Sequence, residues 1–531
     1  MLGVFVLAPI IVGLIAYIIR DHWAKPLLFL FQIGYAAYAF SQFLVVKESG
    51  PIIWNTGGYT DGIALSLYAD PISIFMVMMT AIIYIAFLIY SVNAAYFVSK
   101  FFFLFMVLEG LMMGLYLSSD LFNIFVFLEV STVVVAILIM INKEKQAIYD
   151  GMIYFFVNII GSSFLLFGTG MIYRTFGLLD MRAISEAMTL LDSPKAMILP
   201  YGLMMVTVSL KTAVTPLFSW LPKAHGTPSA PPVVSAVLSG LYIKSGVYLF
   251  IRFNEMYSPV IDMHQFFFWI GFITSVVGFI MALGQHDIKL ILAYHTVSQV
   301  GLIMVGLNMA SDYAFWGAVY HIFNHAIFKS TLFLTAGMIY HEYGTRDVYE
   351  IRGLFKRMPW VAIATTFAML GITGAPFFNG SISKYMIAHG SHDYGTTILL
   401  NIINLGTTMS FVKYATMLFG ENTKGIRVKS DIFAVSAALL LGVTSLLTGM
   451  FGEVLTEFLF GFELQVNAEE YFQKGVVYAL MIVAGIGFYN GIIKHGGFIQ
   501  RIGHIELTFN AIITAMVGYF ITIVLFLTFV L

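Results

Sequence analysis

The chain has 531 residues, of which 60% are hydrophobic and 10% are charged, and its formal net charge is −1. A soluble domain is nearer half apolar and a quarter charged, so this composition leaves too little polar surface for a water-soluble globule. The small net charge gives no bulk attraction to nucleic acid, and the lack of cysteine excludes disulfides, cysteine-ligated iron–sulfur clusters and thiol catalysis.

Apolar runs long enough to cross a ~30 Å hydrocarbon core as helices recur along the whole chain. They predict an all-α polytopic membrane protein with about 14–16 transmembrane helices. The apolar segments are 2–19, 27–46, 71–92, 101–118, 120–141, 151–174, 197–220, 230–251, 264–284, 288–308, 313–340, 360–389, 395–420, 431–460, 475–493 and 507–530. We interpret the first as a retained span, because it lacks the basic region and small-residue cleavage site of a signal peptide.

We expect four units along the chain. They are N-terminal helices in 1–100, two central bundles in 101–252 and 264–420, and C-terminal helices in 431–531. Loops that follow odd-numbered spans hold fifteen Lys and Arg residues, and loops that follow even-numbered spans hold six. The positive-inside rule therefore predicts that both termini face the outside of the cell.

The six remaining basic residues lie in or against spans, and all of them are lysines. They are Lys211, Lys223, Lys244, Lys329, Lys384 and Lys413. A desolvated lysine can release its proton and an arginine in practice cannot, so this set indicates proton handling. For Lys223 and Lys413, which lie near span ends, the alternative is that the side chain snorkels to the interface.

Buried charges in the first central bundle come in the order Glu109, Glu129, Lys211, Lys244. A charge at mid-membrane costs roughly 2.5–3.5 kcal/mol on insertion scales, so such residues face a bundle interior and are functional candidates. Glu129 and Lys244 are central in their spans, and Glu109 is a weaker candidate. Pro216 breaks the span directly after Lys211, and the carbonyls freed there are tolerated only against protein or a water-filled cavity.

The span 313–340 carries His321, His325 and Lys329, which recur every four residues and share one helical face. Histidine titrates near neutral pH, so the column predicts a proton relay, with satisfied structural histidines as the alternative. Two histidines at this spacing can also bind zinc, but no carboxylate on that face completes a site, and we expect no metal. His295 and Gln299, on the preceding span, are candidates to extend the column.

A second broken span lies at 360–389, where Lys384 follows Pro376. Lys211 and Lys384 are five spans apart, and each is next to a Pro break. Paired broken helices in corresponding positions predict two five-helix repeats, inverted because five is odd, with an ion path near the midplane. The alternative is coincidence, since Pro and Gly are common in membrane helices.

Five stretches together resemble a known family. They are SSDLFNIFVFLE, SLKTAVTPLFSWLPKAHGTPSAPPVVSAVLSG, AYHTVSQVG, HIFNHAIFKSTLFL and GAPFFNGSISK. The chain looks like the antiporter-like subunits shared by respiratory complex I, Mrp-type Na⁺/H⁺ antiporters and membrane-bound hydrogenases. Within that family it is most similar to the Mrp D-type and hydrogenase-type members, over roughly residues 60–420.

The resemblance implies a fourteen-helix core of two inverted repeats and a fixed Glu129–Lys211 pair in a first half-channel. Lys244 would pass the proton inward, and Lys384 would be the terminal lysine on the second broken helix. The resemblance also places His325 and Lys329 on the central axis between them. Gln299 stands where some relatives have histidine, and we expect His295, one turn earlier, to take over that step.

The function implied is proton translocation, with Na⁺/H⁺ exchange as a variant, by one subunit of a multisubunit complex in a prokaryotic cell membrane. The resemblance implies no cofactor in this chain. Its partners would be other membrane subunits, with or without a peripheral redox arm of iron–sulfur or nickel subunits. Two rival classes are a stand-alone secondary transporter of a small solute and an intramembrane enzyme that uses His321, His325 and Glu129 for acid–base chemistry.

Overall fold

A computed structural model describes residues 2–19, 21–55, 66–226, 230–391, 393–421, 428, 430–493, 501 and 507–531. Residues 227–229, inside the longest of the five quoted stretches, lie outside this described part. The described chain is an assembly of helices with one small β-hairpin.

The helices are α1 Gly3–Ile18, α2 Asp21–Ser49, α3 Pro71–Ser91, α4 Ser99–Leu117, α5 Leu121–Ile139, α6 Lys145–Phe176, α7 Met181–Met188, α8 Ile198–Lys211, α9 Trp220–Gly226, α10 Pro232–Val237, α11 Ile243–Tyr257, α12 His264–Gly284, α13 Ile288–Leu307, α14 Asp312–Tyr343, α15 Leu354–Arg357, α16 Pro359–Thr373, α17 Asn379–His389, α18 Tyr394–Ala415, α19 Ile432–Met450, α20 Gly452–Phe460, α21 Ala468–Phe488 and α22 Phe509–Val530. A π-helical turn, Leu238–Tyr242, joins α10 to α11, and a second, Tyr489–Ile493, follows α21. Short 3₁₀ turns lie at Pro194–Met197 and Thr416–Leu418. The strands are β1 Ile52–Asn55 and β2 Ser66–Ala69.

The prediction of a polytopic helical membrane protein is confirmed. Within the described residues, 13 helices are long and apolar enough to cross a membrane, and α1 and α16 are shorter apolar helices. Every predicted span coincides with helical structure. The expected single span at 431–460 is wrong in detail, because α19 ends at Met450 and α20 begins at Gly452.

The long polar stretch 47–70 contains the β-hairpin, in which Ile52 pairs with Ala69 in antiparallel register. Asp70 follows β2 and caps α3 by accepting a hydrogen bond from the Ser73 amide at 2.8 Å. The same carboxylate pairs with Arg252 of α11. Burial alone would raise the pKa of Asp70, but the Arg252 guanidinium and the Ser73 hydrogen bonds lower it below its ordinary value. The Asp70–Arg252 ion pair therefore connects the end of the hairpin with α11.

Two parts of the chain share a set of backbone features at one constant offset. Isolated antiparallel bridges join Asp120 to Asp180 and Asp287 to Asp347, so the offset from 120 to 287 equals that from 180 to 347. The 32-residue helices α6 and α14 end on left-handed glycines at 177 and 344, which lie at the same offset again. Asp120 and Asp287 each accept backbone hydrogen bonds at the start of the next helix. The same local architecture therefore occurs twice along the chain.

Helices α12 and α13 pack at very short distance because small residues face each other. A Cβ atom on Gly301 would collide with the backbone of Gly271 and Ser275. The Ser275 hydroxyl donates to the Ser298 carbonyl of α13 at 2.7 Å. In a membrane, where lipid tails are as apolar as leucine, such close approach and interhelical hydrogen bonding hold helices together.

We therefore expect Gly301→Val to separate α12 from α13 and to lower the free energy of unfolding by roughly 3 kcal/mol. Gly170→Val on α6 is the matched control, since a Cβ there meets nothing within 4 Å. The measurement is thermal unfolding of the purified protein in detergent. Equal melting temperatures for the two variants would contradict the packing argument.

Candidate functional site

The first broken helix brings Lys211 into the bundle interior. Helix α8 ends at Lys211, and α9 begins only at Trp220, with Pro216 in the interval. The indole of Trp220 donates to the Leu210 carbonyl at 2.8 Å, which satisfies one of the groups freed by the break. The Lys211 side chain is 3% exposed. The predicted combination of a buried lysine and a helix break is thus present.

The partner of Lys211 differs from the one the resemblance implies. Its Nζ atom donates to Thr132 Oγ1 on α5 at 2.7 Å. Within the described residues, no hydrogen bond or ion pair joins Lys211 to Glu129, and Glu129 Oε1 is buried without a hydrogen-bond partner. Glu129 and Thr132 are three residues apart on one helix, so they lie on the same face. The direct Glu129–Lys211 pair therefore stays a prediction, and the observed partner of the Lys211 ammonium is Thr132, one turn from Glu129 on α5.

Tyr242 connects this site with the next helix. It ends the π-helical turn before α11, and its hydroxyl lies 3.1 Å from Ser131 Oγ and 3.5 Å from Thr132 Oγ1. Lys244 follows two residues later and is fully buried. Its ammonium contacts the Nδ1 atom of His325 and the carbonyl of Ser239. Tyr242 contacts the partner of Lys211, and Lys244 contacts the histidine column. These two residues therefore connect the first broken helix with the column.

The predicted column on α14 is present. His321, His325 and Lys329 are all fully buried, and the two imidazole centroids are 6.3 Å apart. Lys329 Nζ donates to the Leu292 carbonyl of α13 at 2.6 Å. His325 Nε2 is buried, and no described residue forms a hydrogen bond with it. The column therefore holds titratable groups with unused hydrogen-bonding capacity.

Gln299, and not His295, contacts the column. Its Oε1 atom lies 3.1 Å from His321 Nε2, and its Nε2 atom donates to Thr407 Oγ1 at 3.3 Å. Both ring nitrogens of His295 are buried and have no hydrogen-bond partner among the described residues. Its ring packs against Phe411 with centroids 4.8 Å apart. The expectation that His295 replaces Gln299 is thus not supported by the contacts.

The second broken helix carries Lys384. Helix α16 ends at Thr373, α17 begins at Asn379, and Pro376 lies between them. Lys384 Nζ donates to the Ile372 carbonyl, a group left free by the break, at 2.9 Å. The hydroxyl oxygen of the preceding residue, Ser383, lies 2.8 Å from His321 Nδ1. The histidine column therefore reaches the second broken helix through Ser383.

The three weaker candidates have partners away from this polar axis. Lys413 donates to the carbonyls of Ala282, Leu283 and Gln285 at 3.0, 2.7 and 2.5 Å, at the C-terminal end of α12. Lys223 donates to the Leu507 carbonyl at 3.1 Å, just before α22. Glu109 accepts from Gln32 of α2 at 2.7 Å. These contacts assign Lys413 an anchoring role, because cations at a helix C-terminus satisfy its free carbonyls.

Sequence reasoning missed four residues that complete the site: Thr132, Tyr242, Ser383 and His225. The first three carry ordinary side chains whose importance depends on which helices meet. His225 of α9 is buried, and neither ring nitrogen has a hydrogen-bond partner in the part of the chain that the structure describes. Its ring stacks on Phe333 at a centroid distance of 4.6 Å. Phe333 lies one turn beyond Lys329. The sequence did offer one signal for His225, because it is a histidine inside the longest of the five quoted stretches.

No group of three or more His, Cys, Asp or Glu side chains arranged to hold a metal ion occurs among the described residues. The arrangement instead suits proton transfer. Its amines, imidazoles and hydroxyls lie within hydrogen-bonding distance in short runs, and each of them can both give and take a proton. The fold and site define a class of polytopic membrane proteins with two discontinuous helices, each carrying a buried lysine.

Comparison with known proteins assigns the chain to a family within this class. Residues 118–410 match the family described as "NADH:quinone oxidoreductase/Mrp antiporter, TM", and the chain belongs to that family. It is 28% identical over 410 residues to the D-type Na⁺/H⁺ antiporter protein of Alkalihalophilus pseudofirmus, covering 74% of this chain and 81% of that relative. It is also 28% identical over 402 residues to the N-type NADH-quinone oxidoreductase protein of Desulforudis audaxviator, covering 73% and 79%.

Two solved structures share the fold. A chain of the archaeal membrane-bound sulfane sulfur reductase superposes with a TM-score of 0.79 at 24% identity, covering 91% of this chain and 99% of that one. A chain of the Mrp complex from Dietzia sp. DQ12-45-1b gives a TM-score of 0.77 at 22% identity, covering 94% and 98%. The resemblance identified from the sequence motifs is therefore confirmed.

We expect Lys413→Met to lower the stability of the fold, because it leaves three carbonyls at the end of α12 without their donor. The cost should be about 2 kcal/mol, measured as the melting temperature in detergent. Lys384→Met, which removes a single hydrogen bond, is the matched control and should melt closer to the wild type. If the Lys413 variant melts like the wild type, the anchoring role is wrong.

Proposed function

We propose that this chain is the proton-translocating, antiporter-like subunit of a multisubunit membrane complex. The observation that carries the proposal is the run of buried polar contacts from Lys211 to Ser383, beside Lys384. Its contacts are those of Lys211 with Thr132, Thr132 with Tyr242, Lys244 with His325, and His321 with Ser383. Each group would cost several kcal/mol to bury alone, and burial of so many on one axis supports a proton path.

The first step of the mechanism is charge-gated release of a proton from Lys211. An opposite charge within about 4–6 Å stabilises a lysine ammonium, so Lys211 holds its proton when its side chain turns toward Glu129. When the ammonium instead donates to Thr132, it loses that support. Glu129 and Thr132 lie one turn apart on α5, so a side-chain rotation exchanges the two partners without movement of the helix.

The released proton then moves along the axis. Lys244 contacts His325 directly, so a proton on the lysine can pass to the imidazole Nδ1. His321 and Ser383 continue the path toward Lys384, and Gln299 orients the His321 ring through the contact at Nε2. Water in the polar gaps would carry the proton where side chains do not touch. The cationic stations along the axis are all lysines, which fits the need for amines that can lose a proton.

We infer that residues 101–252 and 264–420 form inverted repeats. The backbone features repeated at one constant offset, together with one broken helix in each segment, support this. Five membrane crossings per segment would give the two segments opposite orientation. The charge distribution of the loops supports an orientation with both termini outside. The bacterial relatives support a location in a prokaryotic cell membrane.

The partners we propose are other membrane subunits, as the multisubunit relatives indicate. Energy would come from a redox arm with iron–sulfur or nickel subunits, or from a Na⁺ gradient. This chain would supply the ion path and no redox cofactor.

We expect Lys211→Ala to reduce proton translocation by the assembled complex at least about a hundredfold, the order of magnitude of a lost acid–base group. Lys211→Arg should be equally inactive, because arginine keeps the charge and cannot release the proton. Lys100→Ala, at the exposed start of α4, is the control. The measurement is dye-reported acidification of vesicles, with assembly checked by native gel. Full activity in the Lys211→Arg variant would mean that the lysine acts as a static charge.

We expect the chain to co-purify with other subunits when its complex is extracted in mild detergent and identified by mass spectrometry. Cysteine-rich iron–sulfur or nickel subunits would assign it to a redox-driven complex. Small hydrophobic subunits alone would assign it to a cation/proton antiporter. Purification as a stable single chain would contradict the proposal and favour a stand-alone solute transporter.

A further inference from the structure

A cavity of about 320 Å³ lies between α17, α18 and α21, carries polar side chains on a largely apolar wall and reaches Lys384. Its polar lining includes Thr373, Ser381, Lys384, Asn401, Asn404 and Tyr478. Lys384 is 9% exposed, so it is buried but borders this space. The cavity therefore borders both Lys384 and the surface of the chain.

The cavity walls offer hydrogen bonds that protein groups do not use. Lys384 Nζ carries three donors and, among the residues that the structure describes, makes a single hydrogen bond, to Ile372. Asn404 Oδ1 is buried and has no hydrogen-bond partner within the described part of the chain. Unsatisfied donors and acceptors on the wall of a cavity of this size are favourable places for water. Water in this cavity would connect Lys384 with the opposite wall.

Helix α21 forms that wall and is attached to the broken helix at several points. The Tyr471 hydroxyl accepts from the Phe377 amide at 3.0 Å and lies 2.8 Å from Ser381 Oγ. The Tyr478 hydroxyl lies 2.9 Å from Thr373 Oγ1, next to the break. Helix α21 thus satisfies polar groups that the break between α16 and α17 leaves free. It does so although it lies beyond residues 118–410, the segment matched by the family.

The mouth of the cavity carries an exposed carboxylate. Glu470, in the first turn of α21, accepts from the Tyr385 hydroxyl at 3.0 Å and lies 3.6 Å from His389 Nδ1. The Glu470 and His389 side chains are 46% and 41% exposed. The Lys474 ammonium lies 3.9 Å from the Tyr385 ring centroid, at the same end of the cavity. At the mouth, the Glu470 carboxylate and the His389 imidazole reach the surface. The Glu470 carboxylate contacts Tyr385, which directly follows Lys384 in the chain.

We propose that the cavity between α17, α18 and α21 is the outlet of Lys384 to the exterior, with Glu470 as the group that exchanges protons with bulk water. The inference rests on the proposed function. A proton leaves the Lys384 ammonium for water in the cavity and is taken up by the Glu470 carboxylate. Glu470 then releases it to the outer solution and returns to its charged form. Helix α21 is, on this proposal, part of the ion path.

The first test is thiol accessibility, for which a chain without cysteine is well suited. Asn404→Cys is placed in the cavity, and Ile402→Cys, 40% exposed on the other side of α18, is the matched control. Intact cells are treated with a membrane-impermeant maleimide, and the labelled chain is isolated from its complex. We expect labelling of the Asn404 variant and not of the control. No labelling of the Asn404 variant, or labelling only in permeabilised cells, would overturn the proposed outlet.

The second test is the rate of proton translocation by the complex. Glu470→Gln should slow it at least about tenfold, because the amide cannot carry a proton to bulk water. Glu469→Gln, the exposed neighbour, is the control and should keep the wild-type rate. A wild-type rate in the Glu470 variant would overturn the role of Glu470. If Lys211→Arg abolishes translocation while both outlet tests fail, the outlet alone is wrong. If Lys211→Arg remains active, the proposed function itself is wrong.

Discussion

Every lysine placed deep inside this bundle has to keep a hydrogen-bond partner, and that requirement organises the site. Lys211 is held by a threonine hydroxyl, Lys384 by the Ile372 carbonyl of a broken helix, and Lys413 by three carbonyls at a helix end. A continuous helix uses its own carbonyls, so a break, a helix end or a side-chain oxygen supplies the partner of these three lysines. Lys329 differs, because it donates to the Leu292 carbonyl within the continuous helix α13. At Lys211 and Lys384 a helix break and a buried lysine therefore occur together.

The three lysines differ in how firmly they are held, and this difference separates anchors from movable groups. Lys413 uses all three donors on fixed backbone oxygens, which leaves no capacity for exchange. Lys211 makes one hydrogen bond to a described side chain, that of Thr132, and Glu129 lies one turn from Thr132 on α5. A group with two alternative partners has two states, and a change in the environment of Glu129 can shift the population between them. Such a shift is how a distant partner subunit could control proton release.

The helices beyond the family segment contribute to the same design. Helix α21 hydrogen-bonds the broken helix through Tyr471 and Tyr478, and α22 lies against α8, where Tyr519 accepts a hydrogen bond from Ser209 at 3.1 Å. Each C-terminal helix thus packs beside one of the two broken helices. A broken helix has fewer internal hydrogen bonds than a continuous one, so an outside helix that supplies partners stabilises it.

The sequence by itself determined the membrane class, the approximate spans, the two breaks and the column of His321, His325 and Lys329. These follow from hydropathy, from Pro next to Lys, and from the four-residue helical spacing, all of which are local properties of the chain. Only the tertiary structure decided that Lys211 contacts Thr132, that Gln299 contacts His321 where His295 was expected, and that Glu470 lies at the mouth of the Lys384 cavity. The physical reason is that these contacts join residues far apart along the chain, on helices whose rotation and depth are set by packing. Hydropathy places a residue in a membrane helix, but the neighbouring helices decide what that residue touches.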